Sequence, residues 1–171
     1  MIAYSHDASI KAFGDLTKFS QLLLGITFNK GLLLRGAITK GEVFVDGHIL
    51  IGEPIVRAYH MQQEQEWVGC WMQDKCIDTL SPEHKAAAVD YSQVFHYPIP
   101  LKTGAMQPRW ALNWAWATSA SLDDCDFEAK IDAAFLNLCE RGSLSWPVAR
   151  KRDNTKAFLK HALTHMYRTQ S

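Results

Sequence analysis

His161 and His165 stand four apart in His-Ala-Leu-Thr-His, the spacing at which two imidazoles on one helix can share a zinc ion. The glutamate of the metalloprotease motif is absent and no third ligand is suggested by position. On a helical wheel both histidines fall away from Leu159, Ala162, Leu163 and Met166, so they read as solvated side chains. Arg150-Lys151-Arg152 is a basic cluster and Lys102-Thr103-Gly104 a turn that could face a phosphate. Asp153 beside the cluster favours a solvated helix start, and an ordinary turn explains the second stretch equally well. Cys70, Cys76, Cys125 and Cys139 form neither a C-x-x-C pair nor a structural zinc spacing, so reduced thiols in a packed interior are expected. No Ser-His-Asp order or activated cysteine can be picked out, and the glycines match no Walker or dinucleotide fingerprint.

Aromatic residues give a second set of candidates. Trp110, Trp114 and Trp116 share one parity of an apparent strand, and Trp67 and Trp71 repeat the pattern on another. Such a face is core or a subunit interface, with an aromatic-ligand pocket as the other reading.

The chain has 171 residues, 47% hydrophobic and 21% charged, which suits one domain with a sizeable core. Eighteen basic residues balance eighteen acidic ones, so no charge excess draws the chain to nucleic acid or to an anionic membrane. No segment approaches the roughly 20 apolar residues of a membrane span, and the N-terminus lacks a basic start followed by an apolar run. A soluble cytoplasmic protein is the expectation.

The elements that must position these residues follow from periodicity. Met1 to Ser5 and Ala8 to Phe13 read as two strands around His6-Asp7. Asp15 is the expected cap of a helix to about Phe28, with Leu16, Phe19, Leu23 and Ile26 as its buried stripe and Gly31 closing it in the left-handed conformation. Leu32 to Thr39, Val43 to Val45 and His48 to Ile51 should be three antiparallel strands, the last two turning at Asp46-Gly47. Pro54 opens a helix through Gln62, and Trp67 to Met72 returns as a strand. After a weakly patterned stretch with a helix start at Ser81-Pro82-Glu83, Val94 to Leu101 and Trp110 to Trp116 are strands joined by a loop over 102–109. Pro98 and Pro100 place the first of them at a sheet edge. Helices over Asp126 to Cys139 and up to about Tyr167 end the chain. The whole reads as one α+β domain, an antiparallel sheet covered by helices with a C-terminal helical extension.

Arg35-Gly36-Ala37-Ile38-Thr39-Lys40-Gly41-Glu42 resembles the R-x-G-I-x-x-G strand of class III nucleotide cyclases. Gly52-Glu53-Pro54-Ile55-Val56-Arg57-Ala58-Tyr59-His60 resembles the opening of the helix that follows it in that family. The likeness is to the divergent bacterial branch that includes pyrimidine cyclases of antiphage defence. It covers about residues 1–78 and thins afterwards, where IPLKTG and WALNWA resemble later segments. It implies a ferredoxin-like sheet, a homodimer, and Gly41 and Gly52 as nucleotide-binding glycines.

The same resemblance makes Asp7 the metal ligand, with Mg or Mn as the cation of a cyclase. Arg35 and Arg57 would contact phosphate. The family's transition-state asparagine and arginine would fall at Val56 and His60; valine offers no hydrogen bond, and histidine lacks arginine's bidentate fork. Asp7 has no partner carboxylate, because the chain starts too late to contain the family's first strand and helix. The expectation is therefore a non-catalytic, homodimeric, cyclase-like binding or interaction module without a cofactor. Its ligand would be nucleotide-like or a small aromatic, held between the sheet and the 53–65 helix. The alternatives are a divergent metal-dependent nucleotide cyclase, and a structural fragment completed by an upstream segment.

Overall fold

A computed structural model describes residues 9–91, 93–118, 127–137 and 144–168, without the side chains of Phe127 and of 165–168. Among the described residues six helices and six strands follow one another: α1 (Ile10–Asn29), β1 (Arg35–Ile38), β2 (Phe44–Asp46), β3 (Ile49–Ile51), α2 (Glu53–Glu64), β4 (Gly69–Met72), α3 (Asp74–Asp78), α4 (Pro82–Asp90), β5 (Val94–Pro100), β6 (Met106–Leu112), α5 (Phe127–Leu136) and α6 (Trp146–Arg168). A single 3-10 turn, Ala115–Ala117, follows β6.

The α+β class holds, but the main sheet is mixed rather than antiparallel. Its order is β1-β4-β6-β5, and β1 runs parallel to β4 with Arg35 opposite Gly69 and Ile38 opposite Met72. β2 and β3 form a separate hairpin instead of extending β1. A parallel pair needs a long crossover, and here the chain between β1 and β4 supplies it through the hairpin and α2. β5 is the edge strand its prolines require. Pro98 lies opposite Pro108 at a non-hydrogen-bonded pair of the β5–β6 ladder, where neither missing N–H is called on.

Partners directly across the sheet share a face, which sorts the core into two sides. Phe95 and Tyr97 pack against Phe158 of α6 at ring-centroid distances of 5.7 and 5.1 Å, and the Trp71 indole N–H on the same face donates to the Met61 carbonyl of α2 at 3.1 Å. On the other face Lys85 of α4 sits over the Trp110 ring. Helices therefore cover both sides.

Several expected boundaries move. Ser9 caps α1 by accepting from the Ala12 N–H at 3.1 Å, so Ile10 to Phe13 are helical and Asp15 lies exposed in the second turn. Met1 to Ala8 lie outside the described residues. The buried face of α1 is Thr17, Gln21, Leu24, Gly25 and Phe28, while Phe19 and Ile26 stay about half exposed. Polar chemistry and close approach select this face. The Gln21 amide donates to the Gln93 and Asn113 carbonyls, and a Cβ on Gly25 would meet the Ala117 Cβ at 2.5 Å. The hairpin turns at Gly47-His48, one residue later than expected, because Asp46 pairs with Ile49 and Gly47 takes the positive φ.

β6 begins at Met106 and stops at Leu112, so Trp110, Trp114 and Trp116 do not share a strand face. Trp114 is fully buried against Phe28 and Phe158, whereas Trp116 is 41% exposed in the 3-10 turn. Cys70 and Cys76 are free, buried thiols, and Cys125 and Cys139 lie outside the described residues.

Candidate functional site

The hairpin closes on the first turn of α2, and the two glycines singled out from the sequence make that closure sterically feasible. A Cβ on Gly41 would lie 2.6 Å from Pro54 Cγ, and one on Gly52 would lie 2.7 Å from the Glu42 carbonyl. Thr39 Oγ1 donates to the Pro54 carbonyl at 2.8 Å, tying the end of β1 to the same turn. Asp7 lies outside the described residues.

The candidate cyclase residues divide between two places. Arg57 is engaged by Glu53 one turn earlier, with Nε donating to the carboxylate at 2.7 Å. His60 stands beside Tyr59 on the outer side of α2, where Val56 and Tyr59 are more than half exposed. Arg35 instead reaches under the segment that follows α2 and donates to the Gln65 carbonyl at 3.1 Å, while the Gln65 amide donates back to the Gly36 carbonyl at 3.0 Å.

That segment, residues 64–68, is where charge gathers. Glu66 is only 3% exposed, and Arg150 on α6 holds its carboxylate in an ion pair. Asn154 donates to the Glu66 carbonyl at 2.7 Å, and the Glu66 N–H donates to Pro100. Lys102, at the turn between β5 and β6, is fastened to the same segment through its own N–H and the Glu64 carbonyl at 2.8 Å. Lys151 lies half-buried among these groups. Burial lowers its pKa and Arg35 lowers it further; Glu66 pulls the other way, and Lys102 adds the smallest lowering. The basic cluster is thus not a solvated helix start: Arg152 pairs with Asp132 and Asp153, Arg150 with Glu66, and Lys151 faces inward charges. Sequence reasoning missed Glu66, whose only signal is a carboxylate set between Gln65 and Trp67 on the way into an apolar strand.

Two further surfaces stand apart from this segment. An open cleft of about 370 Å³ is lined by Asp15, Lys18 and Gln21 of α1 with Tyr91, Gln93 and Trp116; it lies away from α2, where a ligand pocket was expected. The hairpin presents an apolar face. Phe44 and Ile51 are direct cross-strand partners, Ile49 lies on the same side, and all three are more than half exposed, at 63%, 62% and 54%. His161 is exposed, as the helical wheel implies, with its ring 5.3 Å from Tyr97 and 5.4 Å from Phe95 at the edge of the aromatic core; the side chain of His165 lies outside the described residues. Among the described residues no group of three His, Cys, Asp or Glu side chains could hold a metal ion, and no helix is long and apolar enough to cross a membrane.

Comparison with protein-family models gives no match, and searches of curated proteins and of solved structures give none either.

Proposed function

We propose that this chain is a non-catalytic interaction module that pairs with a second copy of itself through the outer face of the β2–β3 hairpin. One observation carries the reading: Phe44, Ile49 and Ile51 form an exposed apolar patch on one face of a two-stranded hairpin, with Asp46 at its turn end. An isolated hairpin of two strands is marginal in water, and a contiguous apolar patch is a docking surface by default. A second copy is the occupant that the charge balance favours. The formal net charge is zero, so two chains approach without long-range repulsion, and a two-fold axis can set one apolar patch on its equal.

Descent from class III nucleotide cyclases, with their ferredoxin-like sheet, belongs to this reading as ancestry, on the strength of the residue patterns at 35–42 and 52–60. No turnover is assigned. Val56 contributes no hydrogen-bonding group, and Arg57 is occupied by Glu53.

Sedimentation equilibrium across a concentration series tests the proposal. The expected result is a mass rising from 19.3 kDa toward twice that value. Phe44→Asp with Ile51→Asp should hold the chain at the monomer mass with unchanged near-ultraviolet circular dichroism. A wild-type monomer throughout the series would overturn the reading, as would undiminished association of a folded double variant.

A further inference from the structure

Given the pairing proposed above, we infer that ionised Asp46 restrains self-association and that protonation of Asp46 releases it. Phe44 pairs with Ile51 and Asp46 with Ile49, so side chains 44, 46, 49 and 51 share one face of the hairpin. The docking face is therefore three apolar side chains and one carboxylate, all of them exposed. Val45 and Leu50 take the opposite face and are partly buried.

A two-fold axis cannot leave that carboxylate out of the contact. With the axis along the strands the two turns meet, and Asp46 of each copy faces Asp46 of the other. With the axis across the strands, each Asp46 falls at the open end of the other hairpin, where Glu42 and Glu53 lie. Either way an ionised carboxylate is brought up to its own sign or stripped of water, and both effects favour the protonated form.

The charged groups around the hairpin do not offset this. Segment 41–56 carries Glu42, Asp46, His48 and Glu53 and no lysine or arginine. The first turn of α2, which closes on the hairpin, leads to Arg57, which Glu53 already holds. The stretch after β1 adds Lys40, whose ammonium donates to Thr79 Oγ1 at 2.7 Å. Among the described residues neither Glu42 nor Asp46 makes an ion pair, whereas Glu53 does. The paired state therefore binds more protons than two free chains, and association tightens as pH falls. His48 is exposed in the turn, and a histidine gains charge over the same fall in pH, so its own variant separates the two effects.

Sedimentation equilibrium of the full chain at about pH 7.5 and about pH 5, in about 0.15 M salt to screen long-range charge, tests the restraint. The wild-type dissociation constant should fall at least about tenfold at the lower pH. Asp46→Asn keeps the side chain's size and a residue type that turns accept. It should associate at least about tenfold more tightly than wild type at about pH 7.5 and lose most of the pH response. His48→Gln should keep that response. The comparison of Asp46→Asn with wild type at about pH 7.5 needs no acid and decides independently. A wild-type chain that associates equally at both pH values, an Asp46→Asn variant no tighter than wild type, or a response abolished by His48→Gln would overturn the restraint by Asp46 and leave the pairing standing. No association by wild type or by Asp46→Asn at either pH would overturn the pairing as well.

Discussion

Thr155 of α6 accepts the Val68 N–H through its side-chain oxygen at 2.9 Å and donates its hydroxyl proton to the Lys151 carbonyl at 2.7 Å. The helix is thereby keyed to the segment entering β4, across a separation of 87 residues. Thr155 is fully buried, so neither group it serves can turn to water instead.

Thr155→Val preserves shape and removes both bonds. The buried Val68 N–H is left unsatisfied, and the chain should lose about 2 kcal/mol of stability. Thr155→Ser keeps the hydroxyl and should recover most of that loss. Urea unfolding midpoints of the two variants check the difference, and an unaffected Thr155→Val would show that the bond contributes nothing.

The approach of α1 to the 3-10 turn is set by Gly25. A methyl there would lie 2.6 Å from the Ala117 carbonyl oxygen as well as 2.5 Å from its Cβ, so the helix or the turn must shift. Alanine favours helices by about 1 kcal/mol over glycine, but overpacking of this kind costs about 1–3 kcal/mol. Gly25→Ala should therefore lower the thermal midpoint, whereas Gly14→Ala, where a Cβ would meet nothing within 4 Å, should raise it slightly.

Alkaline pH should weaken the fold. Burial raises the Cys70 thiol from 9.0 to about 12, with a smaller contribution from Cys76; burial likewise raises Cys76 to about 11, and Tyr97 from 10.0 to about 12. The unfolded chain loses these protons first, so in that window it binds fewer protons than the folded chain. Stability is then whole below about pH 9 and falls as pH rises toward 12. Urea midpoints near neutrality and at about pH 10 should differ in that direction. A short pulse of iodoacetamide at pH about 8 should leave Cys70 and Cys76 unmodified in the folded chain, because the thiolate is the reactive form.

How much of this could be read from the sequence depended on whether the signal was local. Gly31 as a left-handed helix stop, Pro98 and Pro100 as marks of an edge strand, and the Pro54 helix start all follow from the backbone limits of single residues. The buried face of α1 did not. Hydropathy selects Leu16, Phe19, Leu23 and Ile26, but Gln21's distant carbonyl partners and Gly25's close contact turn the helix the other way. The parallel pairing of β1 with β4 escaped for the same reason, since strand partners are chosen by the assembled core. Arg35, Lys102 and Arg150-Lys151-Arg152 were each legible as basic residues. That Arg35, Lys102 and Arg150 are fastened to segment 64–66 was not, because that segment carries no motif.

Gln21 spends both amide protons on two carbonyls, one just before β5 and one just after β6. Those two positions are the open ends of a long hairpin, and one side chain of the first helix ties them together. The Gln93 carbonyl also accepts the Asn113 N–H at 2.9 Å, so a fragment beginning at β1 would keep that bond and would leave the Asn113 carbonyl without the Gln21 amide. Supplied separately, a peptide spanning α1 should act as the missing piece: it would bind such a fragment and restore its protease resistance, and the same peptide carrying Gln21→Leu would do so poorly.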